Sequence, residues 1–187
     1  AAVGQCELMY TYDRLFGQYN HTVAQMLLTW EDFDHENRLH NLQNTLERLL
    51  QLHAIPIINE NDTISTEEIA VGDNDTLSAV VAATTRAELL ILLSDIDGLY
   101  DNDPHKNPDA KLIHEVSEID GKILSLAGGS GSELGTGGMV TKLHAAQIAT
   151  EAGCEMVIAN GWNPDLLYGI VEGEPIGTRF LAKKVSK

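Results

Sequence analysis

The sequence predicts an α/β fold on a mainly parallel sheet, covered by helices on both faces. Three observations carry that expectation. The runs Ala54-Ile55-Pro56-Ile57-Ile58, Leu89-Leu90-Ile91-Leu92-Leu93 and Met156-Val157-Ile158-Ala159 are continuously apolar, as strands buried on both faces must be. Stretches of helical periodicity separate them, which is the α/β alternation. Each run gives way at once to polar residues: Asn59-Glu60-Asn61-Asp62, Ser94-Asp95 and Asn160-Gly161. Ligands of open α/β sheets bind beyond the carboxyl ends of the strands, so these three loops are expected to share one edge and make a site.

The elements follow in order. Residues 1 to about 17 read as a helix, with Val3, Leu8, Tyr12, Leu15 and Phe16 near a three- and four-residue spacing. Val23 to Thr29 is a short strand. From Asp34 to Leu52 the set Leu39, Leu42, Leu46, Leu49, Leu50 marks an amphipathic helix. Pro56 places the following strand where one ladder donor can be spared. Further helices are expected at Asp75 to Arg86, around 117–127, at Val140 to Ala152 with Gly153 as its C-cap, and from a cap at Asn163 to Val171. A Gly/Ser-rich loop runs from Gly128 to Gly138. There is no internal repeat.

The chain has 187 residues, the length of one domain or one large piece of a domain. A chain of this size buries roughly 70% of its unfolded surface and needs no disulfide or metal to fold. Lys and Arg number 12 against 28 Asp and Glu, a net charge of −16. Such a surface repels phosphodiester backbones and anionic bilayers, so no nucleic-acid or membrane partner is expected. A small anionic substrate stays compatible, since a site can be locally positive or hold a divalent cation. Cys6 and Cys154 form no CxxC or zinc spacing, which fits a reduced, cytoplasmic setting. The run Leu89 to Leu93 is far too short to span a bilayer. No basic, apolar leader opens the chain, so no signal peptide is expected. Ala1-Ala2-Val3-Gly4-Gln5 reads as the middle of a longer sequence.

Four polar clusters are candidates for chemistry. In Asn59-Glu60-Asn61-Asp62 the residues favour a turn, or Asp62 accepts from a substrate ammonium. In Gly72-Asp73-Asn74-Asp75-Thr76, Asn74 or Asp75 could cap the next helix, yet three polar residues in a row exceed what a cap requires. Ser94 to Asp103 lacks the offsets of an EF-hand; it either contacts a nucleotide through its backbone or is a solvated acidic loop. Gly135-Thr136-Gly137-Gly138-Met139-Val140-Thr141-Lys142 opens a helix. Its glycines let N–H groups approach phosphates, and the helix dipole favours an anion there. Lys142 in the first turn is unfavourable unless an anion is near. The pattern is neither a Walker A loop nor GxGxxG. The histidines are scattered with no HExxH, and there is no GxSxG elbow.

Together, Ile57 to Asp62, Val71 to Asp75, Leu92 to Tyr100 and Gly135 to Lys142, with the flanks Ala2-Val3-Gly4-Gln5 and Gly177-Thr178-Arg179-Phe180, resemble the glutamate 5-kinase family over nearly the whole chain. Any one motif would suggest only the wider amino-acid kinase superfamily. The resemblance implies a three-layer αβα sandwich of the amino-acid kinase type, spanning 1–187 without a carboxyl-terminal RNA-binding-like domain. It implies ATP and Mg²⁺ as cofactors, with the metal ligands undetermined. It also implies L-glutamate as substrate, feedback inhibition by proline, a homo-oligomer and a cytoplasmic enzyme.

By the same resemblance Asp62 and Asn74 hold glutamate, and Asp73 lines that pocket. Ser94 and Asp95 touch the nucleotide. Thr136, Gly137, Gly138, Met139, Val140, Thr141 and Lys142 wrap the phosphates. Lys142 offsets charge on the transferred phosphoryl group, and Asp75 orients the catalytic lysines. The family's opening Val-Lys-x-Gly-Ser strand and Ser-Gly-Ala turn do not occur here, which implies a chain lacking the amino-terminal strands and inactive alone. The alternatives are another amino-acid kinase, acting on aspartate or acetylglutamate, or a truncated non-catalytic fragment.

Overall fold

The computed structural model describes residues 2–64, 73–104, 106–127 and 138–183. The chain divides into two compact units, Ala1–Leu77 and Ser78–Lys187.

In the first unit α1 (Ala2–Gly17) leads to β1 (Thr22–Leu28), a short α2 (Glu31–Asp34), α3 (Glu36–Gln51) and β2 (Ala54–Glu60). The leucine stripe forms α3 as its period requires. Leu42 and Leu46 are buried, each worth about 2 kcal/mol of burial, with Leu39 and Leu49 partly covered. Leu50 falls off the stripe and is 58% exposed, contrary to its inclusion on sequence grounds. In α1 the expected helix is present, but none of its residues is buried. Tyr12 and Phe16 of its stripe meet, with ring centroids 6.2 Å apart.

β1 and β2 pair in parallel, Thr22 opposite Ala54 through Leu28 opposite Glu60. This corrects one boundary: Asn59 and Glu60 are strand residues, not the start of a loop. Leu27 and Leu28 continue the ladder opposite them, and the Asn61 N–H donates to the Leu28 carbonyl at 2.7 Å. A paired partner overrides the low strand propensity of Asn and Glu.

In the second unit, which α4 (Asn74–Thr85) runs into, β3 (Leu89–Ser94), β4 (Glu115–Val116), α5 (Gly121–Ala127), α6 (Met139–Glu151), β5 (Glu155–Asn160), α7 (Leu166–Glu172) and β6 (Thr178–Phe180) follow. The sheet order is β3-β5-β6-β4, with β3 parallel to β5, β6 antiparallel to β5 and β4 parallel to β6. Alternation along the strands builds the layers. Leu92, Met156, Ile158 and Phe180 face Ala79 and Ala82 of α4 and Leu143, Ala145, Ala146 and Ala149 of α6. Val157 and Ala159 face Ile170 of α7 on the other side. Helix, sheet and helix thus stack within this unit, as the continuous apolar strands require.

Two boundaries differ from the sequence reading for local reasons. The helix expected over 117–127 begins only at Gly121. Glu115 and Val116 pair with Arg179 and Phe180, and the Asp120 carboxylate accepts from the Lys122 and Ile123 N–H groups, each at 2.9 Å. Asn163 makes an Asx turn, accepting from the Asp165 N–H at 3.2 Å, so α7 starts three residues later. Gly153 ends α6 as expected: its φ is 85°, and the Cys154 N–H reaches back to the Ala149 carbonyl at 2.9 Å.

Candidate functional site

In the first unit the end of β2 decides where Asp62 goes. Asn61 makes the turn: its carbonyl accepts from the Ile64 N–H at 3.1 Å, and its side-chain oxygen accepts from the Thr63 hydroxyl at 2.5 Å. Asp62 stands exposed at the tip. Among the described residues its carboxylate has no hydrogen-bond or ion-pair partner. The bland reading of the cluster therefore belongs to Asn61, and Asp62 is available to a ligand.

The second cluster resolves differently. Asp73, not Asn74 or Asp75, caps α4. Its Oδ1 accepts from the Thr76 N–H at 2.8 Å and its Oδ2 from the Thr76 hydroxyl at 3.0 Å, while its carbonyl accepts from the Leu77 N–H at 3.1 Å. Both carboxylate oxygens serve the helix. Asn74 is exposed and Asp75 is half-buried in the first turn, where the dipole favours a carboxylate. Asp73→Ala is expected to cost about 1 kcal/mol by loss of the cap, read as a lowered midpoint in denaturant. A rise in the KM for an amino-acid substrate without loss of stability would instead make Asp73 a ligand contact.

In the second unit the parallel register places Ser94 beside Asn160 at the carboxyl ends of β3 and β5. Both follow the alternation of Leu92 and Ile158, so both face the α6 side. The rim is tied together by polar contacts. Ser94 Oγ donates to Asp95 Oδ1 at 3.0 Å, and the Gly161 N–H donates to the Ser94 carbonyl at 2.7 Å. Asn160 Nδ2 donates to Asp97 Oδ1 at 2.7 Å, and the Tyr100 hydroxyl donates to Asp97 Oδ2 at 3.0 Å. Burial first, then the Asp97 carboxylate, push that hydroxyl above its ordinary range. The Trp162 N–H donates to Asn160 Oδ1 at 3.0 Å.

Helix α6 brings its amino terminus to this rim. A short turn at Gly153 joins it to β5, so the two run in opposite senses. Thirteen residues of helix rise ~20 Å and six of strand ~20 Å, which sets Met139 level with Asn160. Gly138 enters extended, with φ −78° and ψ −171°, and the Thr141 hydroxyl donates to its carbonyl at 2.8 Å. Lys142 is only 7% exposed, one turn into the helix. The rim thus has the Ser94 hydroxyl on the sheet face that α6 covers and, among the described residues, no side-chain cap on the α6 amino terminus, which suits an anionic ligand. Of the expected phosphate loop, Thr136 and Gly137 lie outside the described residues, while Gly138, Met139, Val140, Thr141 and Lys142 lie at this rim.

Sequence reasoning placed Asn160 and Asp97 in candidate loops without individual roles, and did not single out Trp162. The signal for Asn160 was present: it stands two residues beyond Ile158 in a strand of period two. The tie from Asp97 to Asn160 joins residues 63 apart in sequence and left no local mark. A separate cleft of about 250 Å³ in the first unit is lined by Leu28, Asp32, Arg38 and Leu42 among others, and by none of the expected site residues. Burial acts to raise the Asp32 carboxyl, but the Thr29 N–H, Arg38 and the Thr29 hydroxyl hold it below its ordinary value. That cleft is neutralised from within. Among the described residues no group of three or more His, Cys, Asp or Glu could hold a metal ion, and no helix is long and apolar enough to cross a membrane.

Comparison with known proteins gives a consistent set of similarities. The model of the amino acid kinase family matches residues 1–160. The chain is 54% identical to a glutamate 5-kinase of Clostridium perfringens over 98% of its own length and 70% of that protein's. It is 53% identical to one from Clostridium tetani, covering 69% of it, and 49% identical to one from Listeria monocytogenes, covering 68%. Among solved structures it resembles an isopentenyl phosphate kinase of T. acidophilum, with TM-score 0.62 and 16% identity over 95% of this chain and 66% of that one. It also resembles a carbamate kinase of Giardia lamblia bound to AMP-PNP, with TM-score 0.53 and 24% identity over 75% and 44%. At these identities the structures establish the fold alone.

Proposed function

Because the chain belongs to the amino acid kinase family and, within it, to the glutamate 5-kinases, we propose that it serves an enzyme that phosphorylates the γ-carboxylate of L-glutamate with ATP. The product is L-glutamyl 5-phosphate, and the reaction is the first step of proline biosynthesis. In the geometry, the observation that supports this reading furthest is the α6 amino terminus, with buried Lys142, at the same rim as Ser94.

The chemistry suits residues of these types. A carboxyl of pKa about 4.3 is already ionised at neutral pH, so the acceptor needs no general base. The obstacle is repulsion between the carboxylate and the triphosphate, and catalysis is alignment plus positive charge. The N–H groups that open α6 and the Lys142 ammonium supply that charge. Ser94 and Asp95 contact the nucleotide. Asp62 receives the substrate ammonium, and Asn74 binds the same amino acid. The donor set fits a triphosphate. Mg²⁺, when bound, would screen charge between the phosphate groups. Residues 1–187 belong to the amino-acid kinase domain in this reading, which also carries proline as inhibitor, a homo-oligomer and a cytoplasmic enzyme.

Two measurements on the whole enzyme test it. ADP release is expected with glutamate and not with aspartate or N-acetylglutamate as acceptor; the reverse preference would reassign the substrate within the family. Asp62→Ala is expected to raise the KM for glutamate about tenfold or more, with the KM for ATP little changed. An unaltered glutamate KM would return Asp62 to turn-making.

A further inference from the structure

We propose that Trp162 is the platform on which the base of the bound nucleotide stacks, with Asn160 and Asp97 as the positioning residues that fix it. This rests on the reading of the second unit as a nucleoside-triphosphate site and extends it to the base.

Exposure alone would say little, since Tyr19 and Tyr168 are also exposed. Trp162 differs in being 85% exposed on a main chain that is held from several directions. Its N–H is bound by Asn160 Oδ1, whose amide nitrogen is bound in turn by Asp97. The preceding N–H, of Gly161, is bound by the Ser94 carbonyl of the neighbouring strand. The fit at Gly161 is close: a Cβ there would meet the Leu93 Cβ at a tight 3.2 Å and the Ser94 carbonyl oxygen at an ordinary 3.5 Å. The fixed backbone sets where the indole is presented, and its exposure leaves its faces open to a flat partner.

Position points the same way. Trp162 lies two residues past the register partner of Ser94, and neighbouring strands are ~4.8 Å apart. The hydroxyl, the amide and the indole-bearing loop therefore lie within the length of one nucleotide. Asp97 adds a carboxylate to a rim expected to meet phosphates, but both its oxygens are taken by Asn160 and Tyr100. These bonds turn both oxygens toward Asn160 and Tyr100, though the carboxylate keeps its charge. Base stacking on an aromatic is tolerant of base identity, so Trp162 supplies affinity for purine nucleotides and not a choice between adenine and guanine.

The chain has two tryptophans, so Trp30→Phe leaves Trp162 as sole reporter. In that background, ATP is expected to quench the fluorescence and inorganic tripolyphosphate to bind without quenching. By calorimetry, Trp162→Ala should weaken ATP about tenfold and leave tripolyphosphate unchanged, while Trp162→Phe keeps most of the ATP affinity. Asn160→Ala should weaken ATP less and lower the fluorescence anisotropy of Trp162, a readout of lost positioning. ATP affinity unchanged in Trp162→Ala, or an equal loss for tripolyphosphate, overturns the platform and leaves the kinase reading standing. If neither ATP nor tripolyphosphate binds the unmutated chain, the triphosphate site itself is wrong and the platform falls with it.

Discussion

Lys142→Met in the whole enzyme is expected to lower kcat by about a hundred- to a thousandfold, the usual loss when one preorganised donor to a transition-state charge is removed. The KM for glutamate should change little, because the ammonium acts on the charge that develops on the phosphoryl group. The structure makes the substitution a clean probe. Lys142 is 7% exposed and sits among Leu143, Ala145 and Ala146 in the buried part of α6. Met matches its length and is tolerated in apolar surroundings. Lys142 also interacts within the chain, so turnover is read beside the melting temperature of the variant. A lower melting temperature with normal turnover would make Lys142 a residue that serves its own fold.

The largest effect on stability is expected from Gly177→Ala, a loss of about 3–5 kcal/mol. The φ of Gly177 is +67°, a region that costs an L side chain about 1 kcal/mol or more. The larger part is steric. A Cβ at Gly177 would fall onto the Ile158 carbonyl oxygen and lie 3.2 Å from the Ala159 Cα. Both belong to β5, paired with β3 on one side and β6 on the other, so the obstructing backbone cannot move aside without breaking a ladder. At roughly 2–4 °C per kcal/mol for a chain of this size, thermal unfolding should start about 10 °C lower. A melting temperature within a degree or two of the parent would mean that the turn relaxes freely. The kinetic constants of whatever enzyme stays folded should be normal, which separates this variant from the first.

The two residues illustrate different degrees of legibility. Lys142 was visible as a charge in the wrong place, a cation opening a helix after a glycine bend. Gly177 was visible only as part of a family flank; its carbonyl neighbour is 19 residues back in sequence, and no local pattern shows the contact. The candidate site divides along the same line. Asp62, Asn74, Asp75, Ser94, Asp95 and Met139 to Lys142 were candidates because they stand in polar clusters at element ends. The capping role of Asp73 was missed by one residue, because Asp, Asn and Asp in succession are all good caps and only the backbone dihedrals choose among them.

By itself the sequence determined the three apolar strands, of which only β5 is largely buried, the α3 stripe, the end of α6 at Gly153 and the family. These depend on the spacing of apolar residues along one element, or on which residue types stand at its ends. The tertiary structure decided that Asn59 and Glu60 continue β2, that Glu115–Val116 and Thr178–Phe180 become strands, that β6 runs against β5, and that Asp97 holds Asn160. Segments of two or three residues carry no period to read. Their conformation is fixed by hydrogen bonds to partners distant in the chain, which exist only once the ladder that supplies them has formed.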